Sequence, residues 1–345
     1  MKTRITDLFK IKYPIILSGM SWISTPELVA AVSNAGGLGI LATGVLGVEE
    51  TREYLARIKE LTKKPYAANV TLYFPGAERN AEILIENKVP VVNYALGKGD
   101  WIAKEVHKYG GKVIATVTTA KHALAAQRDG ADALIVTGHE AAGHGGAVTS
   151  MVLIPSIADV VDIPVIAAGG FADGRGLAAA LSLGAEGIAM GTRFMNSVES
   201  PVHETQKRKS SESDVYDTVY TDKVDGLKAR VLNTRGANRL IKKKLNPFSA
   251  LVRSKAIADM LGFPWLKLAV GIMFSGFKRS MQMARMAIGF KAFLVGTMEG
   301  DNEKGVLPMG QITGIIHDTP TVEQIMKNIV AEAKKVKKKL DTTIK

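Results

Sequence analysis

Residues 164–193 read PVIAAGGFADGRGLAAALSLGAEGIAMGTR, and the order of apolar runs and glycines in this stretch decides the fold. Pro164–Ala168 (PVIAA) is an apolar run of strand length, and the glycine-rich residues 169–176 that follow have loop composition. Gly176–Leu183 reads as a helix, Gly187–Met190 (GIAM) as a second buried strand, and Gly191-Thr192-Arg193 opens another turn. A strand, a glycine loop, a helix and a further strand form one βαβ unit, which lays parallel strands side by side.

The same rhythm extends upstream. Apolar runs occur at Pro14–Met20, Leu38–Ala42, Tyr66–Leu72, Val89–Tyr94, Lys112–Thr118 and Ala131–Val136. Helical patterns stand between them: PELVAAVSNAGG behind a capping Thr25, then Val48–Thr62, Glu78–Asn87, Trp101–Tyr109, Ala120–Arg128 and Met151–Val161. Eight apolar runs alternating with helices predict an α/β fold, a (β/α)8 TIM barrel whose catalytic groups lie at the C-terminal strand ends. A doubly wound sheet is the alternative. It is disfavoured because no G-x-G-x-x-G follows the first strand, where Gly19 stands in SGMSW.

Past residue 200 the rhythm breaks. Lys207–Ser213 is polar and loop-like, Thr218–Leu232 is a candidate β-hairpin, and Thr321–Leu340 is an amphipathic helix ending in a lysine run. This divides the chain into a barrel over 1–200 and 305–345 and an inserted, mainly helical substrate or lid domain over 201–304. The net charge of +12 is concentrated between Arg239 and Lys291, where eleven lysines and arginines face a single acid, Asp259. The rest is nearly neutral, which argues against a nucleic-acid partner. The chain has no cysteine, which excludes disulfides, thiolate catalysis and cysteine-ligated metals, and no metal site is read from it. No run of 18 clean apolar residues and no signal-peptide core is present, so a cytoplasmic protein is expected.

The loops after the seventh and eighth runs occupy the place where barrels bind phosphate, with backbone N–H groups converging near a helix N-terminus. Gly169, Gly170, Ala189, Met190, Gly191 and Thr192 are the candidates, and the anion expected there is a mononucleotide such as FMN. Gly19, Met20 and Ser21 at the first strand end offer close backbone and a flexible thioether to a flat ring. Asn69, in AANVTL, puts an amide where the pattern expects an apolar residue; unpaired, it costs ~1–3 kcal/mol, so a ligand or a neighbouring backbone group must meet it. Residues 138–146, GHEAAGHGG, form a glycine-rich loop after the sixth run and carry His144, whose imidazole exchanges protons near neutral pH. Gly143 lets the backbone approach a ligand. Glu140 has two readings, a solvated surface carboxylate or a group that orients the loop.

Taken together, SGMSW, AANVTL, GHEAAGHGG, AAGGFADGRGLAAALSLGAEGIAMGTRF and the late GQITGII resemble the nitronate monooxygenase family, formerly the 2-nitropropane dioxygenases. That family includes flavin-dependent enoyl-acyl-carrier-protein reductases and NADH:quinone reductases. The resemblance spans residues 5–235 and 305–335. It implies an FMN-dependent TIM barrel with Met20, Asn69, Gly143, Gly170 and residues 189–192 at the cofactor and His144 as the active-site histidine. Gln311 falls in a family motif without an assigned role. The Ala141-Ala142 pair and Thr116 depart from the pattern of some branches, and 239–293 has no recognised counterpart, so the subfamily stays open.

The leading expectation is oxidation of alkyl nitronates by oxygen. The alternative is an NAD(P)H-dependent reductase of a quinone or an enoyl thioester, with NADH or NADPH as reductant. A flavin-binding barrel without turnover is the non-enzymatic alternative. Within 239–291, Met273, Phe274, Met281 and Met283 suit an apolar lid. The basic residues suit peripheral contact with an anionic membrane, an acyl carrier protein or the phosphates of coenzyme A. The sequence leaves the oligomeric state open, with a homodimer among the options.

Overall fold

The structure, a computed structural model, describes residues 1–74, 76–243 and 277–344, with the backbone alone for 277–281, 283 and 284. Met273 and Phe274 lie outside the described residues, as do the side chains of Met281 and Met283. The greater part of the basic segment lies outside them too.

Eight parallel strands close into a barrel in chain order. They are β1 (Ile15–Leu17), β2 (Leu38–Ala42), β3 (Tyr66–Thr71), β4 (Val91–Ala95), β5 (Lys112–Val117), β6 (Ala133–Thr137), β7 (Val165–Ala168) and β8 (Gly187–Met190). The seam is β1 against β8, with Ile15 opposite Ile188 and Leu17 opposite Met190. Closure excludes the doubly wound sheet. Around the strands run α1 (Arg4–Phe9), α2 (Pro26–Asn34), α3 (Val48–Leu61), α4 (Ala77–Glu86), α5 (Asp100–Lys108), α6 (Ala120–Arg128), α7 (Ser150–Ala158) and α8 (Gly174–Ser182).

The period-two alternation of strands explains why each run is apolar throughout. Ile15 and Leu17 face the surrounding helices, while Ile16 points into the barrel with Ile40, Ile114, Ile135 and Ile166. Alanines at 67, 133, 168 and 189 fill the remaining interior positions, and Ile5 and Phe9 of α1 plug the bottom. Each fully buried isoleucine or leucine contributes ~1.5–3 kcal/mol, so this two-shell core dominates the favourable side of folding.

Three local expectations are revised. Thr25 occupies the N-cap of α2, but its side chain accepts no capping hydrogen bond; Pro26 at the first helical position presets the turn instead. α8 begins at Gly174, ahead of the expected Gly176, because Asp173 caps it and accepts from the Gly176 N–H at 2.9 Å. Residues 207–213 are not a loop. After the one-turn α9 (Thr192–Met195), they fall largely within α10 (Glu204–Ser211). Its inward face is polar: Gln206, Lys207 and Ser210 are buried, Lys207 pairs with Glu204, and Ser210 bonds Asn196 and Thr313. With polar residues buried in place of apolar ones on that face, the helical periodicity is invisible.

The expected hairpin is present as antiparallel β9 (Thr218–Thr221) and β10 (Ala229–Leu232), followed by α11 (Arg235–Lys242). With the long helix Phe277–Met298 it builds a small core over the barrel mouth from Val224, Val231, Ala237, Met286, Phe290 and Val306, joined by Val45 of the β2–α3 loop. The helix Val322–Thr343 returns to the barrel and packs between α8 and α2. Gly174 is required there because Ile329 and Ala333 cross it too closely for any side chain. Among the described residues no helix is long and apolar enough to cross a membrane.

Candidate active site

The loops at the C-terminal strand ends are pressed against one another, and glycine makes the contacts possible. Gly169 and Gly170 after β7 hold left-handed φ values of 92° and 82°. A β-carbon on Gly19, after β1, would lie 2.9 Å from that of Asn69. A β-carbon on Gly191, after β8, would lie 3.3 Å from the Met20 sulfur, so the thioether rests on the eighth loop. Gly310 and Gln311 stitch two further loops: the Gly310 N–H donates to Thr192 Oγ1 at 3.2 Å and the Gln311 N–H to the Glu140 carbonyl at 2.9 Å. Gly310 and Gln311 of the late GQITGII motif thus meet these loops through their backbone.

Asn69 is met by an amide on the next strand. Its Nδ2 donates to Asn93 Oδ1 at 2.7 Å, and Asn93 Nδ2 donates in turn to Thr116 Oγ1 at 3.0 Å and the Ile114 carbonyl at 3.1 Å. The ladder runs across the tops of β3, β4 and β5 under the mouth. Asn93 carries the same signal as Asn69, a polar residue in an apolar run.

The β6–α7 loop bearing His144 is held from two sides. From the barrel side, Glu140 accepts from the Ser150 N–H at 3.0 Å, and the Ser150 hydroxyl bridges Glu140 and the Gly169 carbonyl. Glu140 is therefore an orienting group and not a solvated surface carboxylate. From the inserted side, the Tyr220 hydroxyl donates to the Gly145 carbonyl at 2.8 Å. Arg230 donates Nε and Nη2 to the His139 carbonyl and Nη1 to Thr218 Oγ1. Arg230 is buried at 5% exposure with its guanidinium against the Tyr220 ring. Burial lowers its pKa, opposed by Glu140 and Tyr220, and burial likewise raises that of Tyr220. His139 is occupied within the loop, its Nδ1 3.0 Å from the Gly146 carbonyl and its ring against Tyr220.

His144 turns outward to the hairpin. Its Nε2 lies 2.8 Å from Asp225 Oδ2, and the Asp225 side chain is 2% exposed against 27% for the histidine. The other carboxylate oxygen accepts from the Leu227 N–H at 3.0 Å.

One cavity of about 880 Å³ opens among these loops. Gly19, Met20, Ser21, Asn69, Gly143, His144, Gly169, Gly170, Ala189, Met190, Gly191 and Thr192 all line it. So do residues the sequence reading did not single out: Asp225, Asn93 and the aromatic side chains of Trp22, Phe74, Phe290 and Phe293. Phe290 meets Trp22 and Phe74 edge-on at centroid distances of 5.9 and 5.0 Å. Trp22 is held at a φ of 63°, a strained setting for a bulky side chain that the surrounding packing maintains. Of these, Asp225 had one signal, the Asp-Gly pair at a hairpin turn. Among the described residues no three His, Cys, Asp or Glu gather as a metal site.

The chain matches the family model described as nitronate monooxygenase over residues 2–81 and 76–332. It is 38% identical over 338 residues, with 96% of each chain covered, to a Rhodococcus jostii protein named (3aS,4S,5R,7aS)-5-hydroxy-7a-methyl-1-oxo-octahydro-1H-indene-4-carboxyl-CoA dehydrogenase. A probable nitronate monooxygenase of Staphylococcus saprophyticus is 36% identical over 277 residues, 67% of this chain and 78% of its own. Among solved structures, FabK from Thermotoga maritima superposes with a TM-score of 0.85 at 38% identity, with 100% of both chains covered.

Proposed function

The chain belongs to the nitronate monooxygenase family, a family of oxidoreductases, and from that premise we propose an FMN-dependent enzyme whose substrate is an acyl thioester. The observation that carries the substrate class is the cavity wall. Trp22, Phe74, Phe290 and Phe293 line the cavity of about 880 Å³. An alkyl nitronate has few atoms and one charge to be held, whereas four aromatic side chains bury an apolar acyl group. Similarity over 96% of the chain to a protein named for a carboxyl-CoA substrate supports the thioester over the nitronate.

The strand-end residues fit a flavin mononucleotide. Gly169 and Gly170 adopt backbone conformations that present N–H groups without a side chain in the way, and a β-carbon on Gly143 would meet no atom within 4 Å, so that position opens onto free cavity space. Gly169, Gly170, Gly191 and Thr192 would hold the phosphate; Gly19, Met20, Ser21, Asn69, Gly143, Ala189 and Met190 would border the ring. FMN, when bound, supplies hydride acceptance and donation. His144 holds or gives the proton at the carbon beside the thioester carbonyl. Phe290 and Phe293 keep water from that carbon. In this reading residues 201–304 are the lid and 1–200 with 305–345 the barrel, and NADH or NADPH serves as reductant.

The test uses the purified, flavin-loaded protein under anaerobic conditions. Saturated acyl-CoA is expected to bleach the oxidised flavin, or enoyl-CoA to restore the colour of flavin reduced with NADH or NADPH. Bleaching by an alkyl nitronate with no response to any thioester would replace the proposed substrate by a nitronate. A colourless protein that takes up no FMN would overturn the whole reading.

A further inference from the structure

We propose that Asp225 is a positioning residue that fixes the tautomer of His144, so that Nδ1 is the atom that gives and takes the proton. The inference rests on the assignment of His144 to proton transfer.

The argument starts from the carboxylate. Both oxygens of Asp225 are engaged, Oδ2 by His144 Nε2 at 2.8 Å and Oδ1 by the Leu227 N–H at 3.0 Å, so its direction is set. An ionised carboxylate only accepts hydrogen bonds, which requires the Nε2 of its partner to carry the proton. Neutral imidazole has one N–H. Nδ1 is then left with the lone pair, and it takes no hydrogen bond from any described residue. When Nδ1 gains a proton, the cation that forms is stabilised by a carboxylate shielded from water.

The carboxylate and the loop are also held in register. Asp225 sits in the turn of the same hairpin whose Tyr220 and Arg230 grip the Gly145 and His139 carbonyls. Above it, the helix Phe277–Met298 passes so closely at Gly289 that a β-carbon there would lie 2.6 Å from that of Asp225. Glycine at 289 thus lets the helix seal the carboxylate without displacing it. The other charged or titratable groups around the pair direct their bonds elsewhere. Glu140 holds Ser150, His139 holds the Gly146 carbonyl, and Tyr220 and Arg230 hold the loop backbone. Lys223 lies beside Asp222, and Arg285 of the helix donates to the Lys223 carbonyl. Asp225 is therefore the group that sets the histidine.

Nitrogen-15 NMR of the flavin-loaded protein, with His144 assigned by comparison with His144→Ala, reads the tautomer directly. The wild type is expected to show a protonated Nε2 and an unprotonated Nδ1. Asp225→Asn, whose amide can serve either nitrogen state, is expected to mix the tautomers. Turnover should fall on the order of 10²-fold with KM little changed, since part of the general acid–base contribution is forfeited. Gly289→Ala, which favours the helix but crowds the carboxylate, should give the same spectral change in milder form. A neutral wild-type His144 protonated at Nδ1, or an unchanged tautomer in both variants, overturns the proposal. Full turnover by His144→Ala would instead remove the assignment of proton transfer to this histidine, while the NMR still reports on the pair.

Discussion

Gly19 and Asn69 stand on different strand ends, and a β-carbon added to Gly19 would come within 2.9 Å of the Asn69 β-carbon. Alanine at position 19 must therefore push Asn69 away from Asn93, its partner at 2.7 Å. Gly19→Ala is expected to weaken FMN binding about tenfold or more, ~1.4 kcal/mol. Flavin fluorescence titration of the stripped protein measures it, and the chromophore released by heat from the wild type should have the mass of FMN.

Asn69 and Asn93 should behave as one unit toward denaturant. Removing either amide leaves its buried partner short of a hydrogen bond, at a cost of ~1–3 kcal/mol. Urea unfolding of Asn69→Ala, Asn93→Ala and the double variant should give a coupling energy of at least ~0.5 kcal/mol. Strict additivity would show that the ladder contributes no joint stability.

Burial pushes the Tyr66 phenol up to about 12, and its hydroxyl has no hydrogen-bond partner among the described residues. The folded value lies above the ordinary one of about 10, so stability is full below that pH and is lost as pH rises toward 12. Tyr66→Phe removes both the orphan hydroxyl and the titration. Unfolding at pH 8 and 11 should show a variant more stable by ~1 kcal/mol at the lower pH, with a smaller alkaline loss.

His144→Ala is expected to retain flavin and lose turnover by ~10²-fold or more. His139→Ala is the control in the same loop. Its ring is spent on the Gly146 carbonyl and Tyr220, so its effect should fall on thermal stability more than on turnover. Steady-state rates beside melting curves separate the two.

The barrel was legible because parallel strands buried on both faces read as unbroken apolar runs closed by glycine, as PVIAAGG does. The glycine loops and His144 were legible for the same reason: each follows such a run. α10 was hidden because Gln206, Lys207 and Ser210 bury a polar face. Asp225 was hidden because its partner is 81 residues away, and an Asp-Gly turn carries no mark of what lies across from it. Trp22 and Phe74 come from two loops and Phe290 from a helix, and no local pattern brings them together.

The seam between β8 and β1 is complete by residue 190, yet the helix that covers it between α8 and α2 is Val322–Thr343. On a ribosome, the barrel's ring of strands emerges well before its last wall. While residues 191–321 are being made, Ile325, Met326 and Ile329 are still absent, and the apolar flank they cover stays open to water. A nascent chain of this kind exposes an apolar groove for as long as residues 191–321 take to make, an interval that slow codons within the inserted segment would lengthen.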